Sequence, residues 1–241
     1  MREINTEAER KFENEKALGG ESRVKQDKFY WATALGDEDH KRTIIESIAN
    51  KVILEIGCAS GRDAKLYSEY AEYYTGLDIS DEAIKNCDNM GLENATFICT
   101  DGHKIPLNDK AFDCVIVNSL LHHLDLEVSL VEISRVLKDG GKLIFKEPLG
   151  TNPFFQLYRS FTQSARTADE RPFTFMDLKL LQSNFELRQV RWFGFTNILA
   201  AFFRISILRQ VLTNLDSLLS HTPLKYFFWQ FAGVATKKSN T

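Results

Sequence analysis

A doubly wound α/β fold with a mostly parallel sheet is predicted by three observations. First, residues 52–61 read VILEIGCASG, an apolar strand running into a glycine-containing turn and then a helix. Such a unit places backbone N–H groups and a helix N-terminus at the carboxyl edge of a sheet, where small ligands bind. Second, Asp78 closes the next apolar run, YYTGLD, 21 residues after Gly57, where an acid can hold both hydroxyls of a ribose. Third, short β-branched runs alternate with helical segments as far as residue 148, the pattern of parallel strands joined by crossover helices.

Taken in order, residues 1–37 are polar and charged and end in an aromatic group, Phe29, Tyr30 and Trp31. They read as a mobile, partly helical arm with an anchor. Residues 38–50 place Ile44, Ile45 and Ile48 at helical spacing before the first strand. In that strand Glu55 is set among Val52, Ile53, Leu54 and Ile56; Gly57 opens the turn, and Gly61 lets the next helix approach the sheet. RDAKLYSEYA supplies that helix. Ser80 is an N-cap for DEAIKNCDNMG, which has acids in its first turn. ATFICT is a third strand ending at Asp101-Gly102, FDCVIVNS a fourth ending at Asn118-Ser119, and a helix is expected over about 125–138 before a fifth strand, KLIFKEP.

Composition narrows the function. At 241 residues, 44% hydrophobic and 26% charged, the chain suits one α/β domain with additions. A net charge of −3 gives no global reason for nucleic acid, no basic stripe accompanies the fourth strand, and no Asn/Asp-Pro-Pro-aromatic motif is present. Cys58, Cys87, Cys99 and Cys114 lack C-x-x-C spacing and read as buried, reduced thiols. The polar start after Met1 lacks a signal-peptide core, and no run reaches the length of a membrane span. The expectation is a cytoplasmic protein.

The loop discriminates among adenosine cofactors. A dinucleotide fingerprint needs G-x-G-x-x-G, whereas this loop reads G-x-A-x-G with Glu55 two residues before it. A carboxylate there would repel a pyrophosphate and attract an ammonium or sulfonium group. With Glu55, Gly57 and Gly61 in place, the sequence resembles the class I S-adenosylmethionine-dependent methyltransferases, of the type 11-like small-molecule kind. Their first motif is (Glu/Asp)-x-Gly-x-Gly-x-Gly, and Ala59 departs from it at the middle glycine. RVLKDGGKLIFKEP resembles the family's stretch leading into the fifth strand, so the likeness covers about residues 51–148.

The resemblance implies a Rossmann-like, seven-stranded, mostly parallel sheet with an antiparallel last strand, here WQFAGVATK after a sixth strand FELRQVRWFGF. It implies an N-terminal arm or lid over 1–37 and a methyltransferase domain over 38–241, with substrate-facing helical insertions at about 149–176 and 197–222. It also implies S-adenosyl-L-methionine as cofactor. Glu55 would take the methionine ammonium, Asp78 with Ile79 the ribose, and Asp101-Gly102 the adenine. Gly57, Cys58, Ala59 and Gly61 would form the floor, Asn118-Ser119 the wall near the methyl, and Tyr30 a lid contact.

Methyl transfer needs a nucleophile aligned with the methyl and, for a hydroxyl acceptor, a base. His122 and His123 follow the fourth strand, and His122 is the candidate base, with His123 the structural neighbour in similar enzymes. Glu147 ends the fifth strand and could orient a substrate hydroxyl or amine. EPLGTNP…LYR…RTADERP resembles a subset of small-molecule methyltransferases, and makes Tyr158, Arg159 and Arg166 substrate candidates. Asn118 without neighbouring acids speaks against a catechol-type magnesium site, so no metal is expected.

The tail differs from the rest. From residue 185 onward seven Lys/Arg face two Asp/Glu, a local +5 against −8 before it, and the segment holds eleven of the chain's 28 aromatics. Residues 198–220 show an apolar stripe at 198, 202, 205, 208, 212, 215 and 219. Three readings stand: packing on the sheet, a roof over a lipophilic pocket, or a peripheral membrane contact through 198–229 on the membrane's inner face. The expected partner is a small-molecule acceptor, lipid- or sugar-linked in one reading, methylated at oxygen. N- or C-methylation, a nicotinamide oxidoreductase and a non-catalytic cofactor-binding protein remain the alternatives.

Overall fold

A computed structural model describes residues 5–19, 27–160 and 171–238. Seven strands form one sheet: β1 (Val52–Ile56), β2 (Tyr73–Asp78), β3 (Ala95–Cys99), β4 (Phe112–Asn118), β5 (Leu137–Pro148), β6 (Phe185–Phe193) and β7 (Gln230–Lys237). Their order is β3-β2-β1-β4-β5-β7-β6. β1 through β5 pair in parallel, and β7 runs antiparallel between β5 and β6. The chain winds outward from β1 to β3, then returns to β4 on the other side of β1. That reversal opens a crevice at the carboxyl ends of β1 and β4.

The central strands are apolar on both faces because helices cover both. Leu54 and Ile56, Val115 and Val117, Leu143 and Phe145 point to one core, which includes Leu130 and Ile133 of α5 (Leu126–Val136) and Leu181 of α7 (Phe175–Asn184). Ile53, Ile116 and Ile144 point to the other, filled by Ile44 and Ile48 of α2 (Asp27–Ile48) and Tyr67 of α3 (Ala64–Tyr70). The remaining helices are α1 (Thr6–Ala17), α4 (Asp81–Asp88), α6 (Pro153–Ser160), α8 (Ala200–Phe203) and α9 (Ser206–Leu219).

Several expectations need correction. The boundary placed between arm and domain at 37/38 falls inside α2, one continuous helix. Gly36 sits within it because a Cβ there would lie 2.9 Å from the ring of Phe193. The helix expected to reach residue 138 stops at Val136, since Leu137 already pairs with Phe112 on β4. Cys99 is exposed at the end of edge strand β3, while the other three cysteines are buried and all four are free. The single helical stripe over 198–220 is interrupted: Arg204 takes a left-handed conformation (φ 52°) and separates α8 from α9. Phe202, Ile205 and Leu215 of that stripe point to solvent. Packing of the stripe on the body is therefore partial.

Candidate functional site

The β1 loop is wound by its own backbone. Gly57, Ala59 and Gly61 all have positive φ (81°, 48° and 73°), a conformation glycine adopts freely and alanine only at a cost. At Gly61 a Cβ would come within 2.6 Å of Met90 and 3.0 Å of the Cys87 sulfur, so helix-side packing requires its absence. The N–H groups of Gly57 and Cys58 both donate to the Leu77 carbonyl, at 2.7 and 3.0 Å, and that of Gly61 to Cys58 at 3.0 Å. The Ala59 N–H donates to Asp78 Oδ2 at 2.8 Å. Four loop donors are thus spent inside the protein, and no open nest of N–H groups is left by them for a pyrophosphate.

Carboxylates dominate instead. Asp78, 9% exposed, also accepts from the Ser80 N–H at 2.9 Å, so it ties the β1 and β2 loops together. Burial raises its pKa, against the pull of those two amides. Glu55 lies on the Ile53 face of β1 and accepts a hydrogen bond from the Tyr74 hydroxyl at 2.5 Å. Its second oxygen has no donor among the described residues, and burial pushes its pKa up to about 7. Two acids beside a loop whose amides are satisfied internally form an acceptor set suited to a cationic amino acid moiety and a ribose. The residues present fit S-adenosylmethionine.

Across the crevice, the ends of β4 and β5 carry a second cluster. Glu147 is fully buried and sits next to β4 through strand pairing. Its Oε1 accepts from the N–H groups of Leu120 and Leu121 at 3.0 and 2.8 Å, and its Oε2 lies 2.6 Å from His122 Nδ1. Burial raises Glu147 to about 8, with the two amides opposing. His122 and His123 occupy a 3-10 turn with ring centroids 4.2 Å apart. His123 Nδ1 lies 3.1 Å from Glu9 of α1.

Two further contacts had no sequence signal. His40, buried on α2, donates from Nε2 to Asn118 Oδ1 at 2.9 Å; burial lowers its pKa to about 4, so it is neutral. Lys146 pairs with Asp37 at 3.0 Å beside it. Helix α1 lies over the carboxyl edge: besides the Glu9 contact, Asn14 accepts from the Ser80 hydroxyl at 2.6 Å and donates to Asp81 at 2.8 Å.

The sequence-predicted residues are therefore brought together only in part. Glu55, Gly57, Cys58, Ala59, Gly61, Asp78 and Ile79 surround the β1–β2 edge, and Asn118, Ser119, His122, His123 and Glu147 the β4–β5 edge. Asp101 caps its own turn, accepting from the His103 N–H at 2.8 Å, and Gly102 packs near Leu124. Tyr30 rests on Trp229, with ring centroids 6.1 Å apart, beside β7. Tyr158 and Arg159 fall on α6, but their side chains, like all of Arg166, lie outside the described residues.

Comparison with known proteins agrees with this fold. Residues 54–145 match the methyltransferase domain family. An O-methyltransferase of Penicillium expansum is 29% identical over 108 residues, covering 42% of this chain and 39% of the relative. Phosphoethanolamine N-methyltransferase 1 of wheat is 30% identical over 112 residues, covering 43% of this chain and 22% of the relative. The chain thus spans well under half of these relatives. Among solved structures, geranyl diphosphate C-methyltransferase of Streptomyces coelicolor superposes with a TM-score of 0.60 at 12% identity, over 83% of this chain and 77% of that one. Residues 54–145 are thus similar to a methyltransferase domain, and the sheet has the strand order of the Rossmann-like methyltransferase fold.

Proposed function

We propose that the protein transfers a methyl group from S-adenosylmethionine to a hydroxyl of a small, lipophilic acceptor. The observation that carries this reading is the Glu147–His122 pair, 2.6 Å apart and buried at the strand ends facing the β1 loop. When bound, the cofactor supplies a methyl on a positively charged sulfur. Glu55 would hold its ammonium and Asp78 its ribose, with Ile79 beside it. Gly57, Cys58, Ala59 and Gly61 would support it from below, Asp101-Gly102 would meet the adenine, and Asn118-Ser119 would line the side near the methyl.

Glu147 acts through His122. Once ionised, as it is increasingly when pH rises through about 8, it accepts from Nδ1–H, sets the tautomer in which Nε2 can take a proton, and stabilises the imidazolium that forms. His40 holds Asn118 in place from behind. Helix α1, tied to Ser80 and His123 at its two ends, would close over the cofactor and exclude water, the lid role proposed for the arm.

The test is formation of S-adenosylhomocysteine with a panel of phenol, quinol and sugar acceptors. His122→Ala should lower turnover by roughly 100-fold or more while cofactor affinity stays within about twofold, the usual span for loss of a general base. Unchanged turnover would remove His122 as base and favour an N- or C-acceptor that needs none.

A further inference from the structure

Helix α9 is apolar on two sides but packs on only one. Leu208, Leu212 and Leu219 turn inward around Asp216, which is 2% exposed and accepts from the N–H groups of Phe195, Thr196 and Asn197 at 2.7–3.3 Å. The opposite stripe, Ile207, Val211, Leu215 and Leu218, follows helical spacing and faces solvent, with Ile207 77% and Leu218 72% exposed. Phe202 and Phe203 on α8 extend it, at 62% and 65%. A contiguous exposed face of this kind marks a contact surface.

Its charge names the partner. Over residues 196–229 the cation exposed beside this face is Arg204, Arg209 being held on the Trp31 ring and carbonyl and Lys225 over the Trp192 and Tyr226 rings, and the one acid, Asp216, is sealed inside. Lys28 adds a cation at the rim, its Nζ 4.9 Å from the Phe202 ring centroid. Exposed apolar side chains flanked by cations without exposed acids complement an anionic lipid headgroup layer. No described helix is long and apolar enough to cross a membrane, so the contact would be in the plane of the surface.

We propose that the outer face of α8 and α9 docks the protein on anionic phospholipid bilayers. A line of rings leads inward from that face: Phe202 meets Phe29 at 6.2 Å, Phe29 meets Trp229 at 6.3 Å, and Trp229 meets Phe155 at 5.5 Å. The Trp229 carbonyl accepts from the Leu149 N–H at 2.7 Å, two residues past Glu147. An acceptor dissolved in the bilayer would therefore meet an aromatic path ending beside the β5 edge.

The test is co-sedimentation of the full chain with vesicles of phosphatidylcholine alone and of phosphatidylcholine with phosphatidylglycerol at about 7:3. Wild type should bind the anionic vesicles at least about tenfold better, and less at high salt. The triple variant Phe202→Ser, Ile207→Ser, Leu218→Ser should lose that binding with an unchanged circular dichroism spectrum and unchanged S-adenosylhomocysteine affinity. Arg204→Glu, which removes no apolar contact, should weaken it severalfold. Equal sedimentation of wild type and Arg204→Glu, no preference for anionic vesicles, or a dimer by light scattering that the triple variant turns to monomer would overturn the proposal. Because cofactor affinity is read separately, failure here leaves the methyltransferase reading standing.

Discussion

Glu147 and His122, 25 residues apart, meet at 2.6 Å because β4 and β5 are neighbours in register and the turn after β4 folds back over β5. The carboxylate is held from the other side by two backbone N–H groups, so its orientation does not depend on the histidine. This makes Glu147→Gln an informative change. The Gln carbonyl can keep the two amide donors, but its NH2 would face Nδ1 and impose the other imidazole tautomer. Turnover should fall by roughly 100-fold or more, with cofactor affinity nearly unchanged. Stopped turnover with an intact binding isotherm supports the positioning role; wild-type turnover contradicts it.

Glu55 couples stability to pH. Its folded pKa, raised to about 7 by burial, exceeds the ordinary carboxylate value. The folded state therefore holds more protons than the unfolded one between roughly pH 4.5 and 7. Its contribution is fully present below about pH 4.5 and is lost as pH rises through 7, on the order of 3 kcal/mol. Glu55→Gln, still able to accept from Tyr74, should flatten this part of the stability profile in urea titrations. A profile identical to wild type would contradict the assignment.

The same carboxylate gives binding a proton signature. An ammonium group beside Glu55 favours the ionised form, so cofactor binding near pH 6 should release a proton. Calorimetry in buffers of different ionisation enthalpy would read this release directly, and Glu55→Gln should abolish it while weakening binding. An unchanged release in that variant would place the proton elsewhere.

Ala59 bears a φ of 48° where the resembling family has glycine. Left-handed backbone costs an alanine about 1–2 kcal/mol, offset in part by the greater unfolded-state freedom of glycine. Ala59→Gly should therefore stabilise the protein by several tenths to about 1 kcal/mol, seen as a higher thermal midpoint. A lower midpoint would mean that the methyl makes contacts worth more than the strain.

The central sheet was legible because its strands carry runs such as CVIVN that only a doubly covered parallel strand can bury. Glu55, Asp78 and Glu147 stood out as acids at the ends of, or within, such runs. What stayed hidden were relationships across the sheet: the Tyr74 hydroxyl on Glu55 and His40 on Asn118 join residues 19 and 78 apart with no local pattern. The continuity of α2 was missed because the polar arm gives no cue to where a helix begins. The two-sided character of α9 was missed for a different reason. An apolar stripe reports that a face will be covered, and says nothing about whether this chain covers it.

The most direct measurement is calorimetric titration of the protein with S-adenosylmethionine and S-adenosylhomocysteine, with NAD(H) as control, on wild type and Asp78→Ala. The account predicts micromolar binding of both sulfur ligands to wild type and none of NAD(H). It also predicts at least a tenfold loss in Asp78→Ala, since that side chain anchors the Ala59 and Ser80 amides and is the one proposed to hold the ribose. Absence of heat with either sulfur ligand, or wild-type affinity in Asp78→Ala, would contradict the assignment of this loop as the cofactor site.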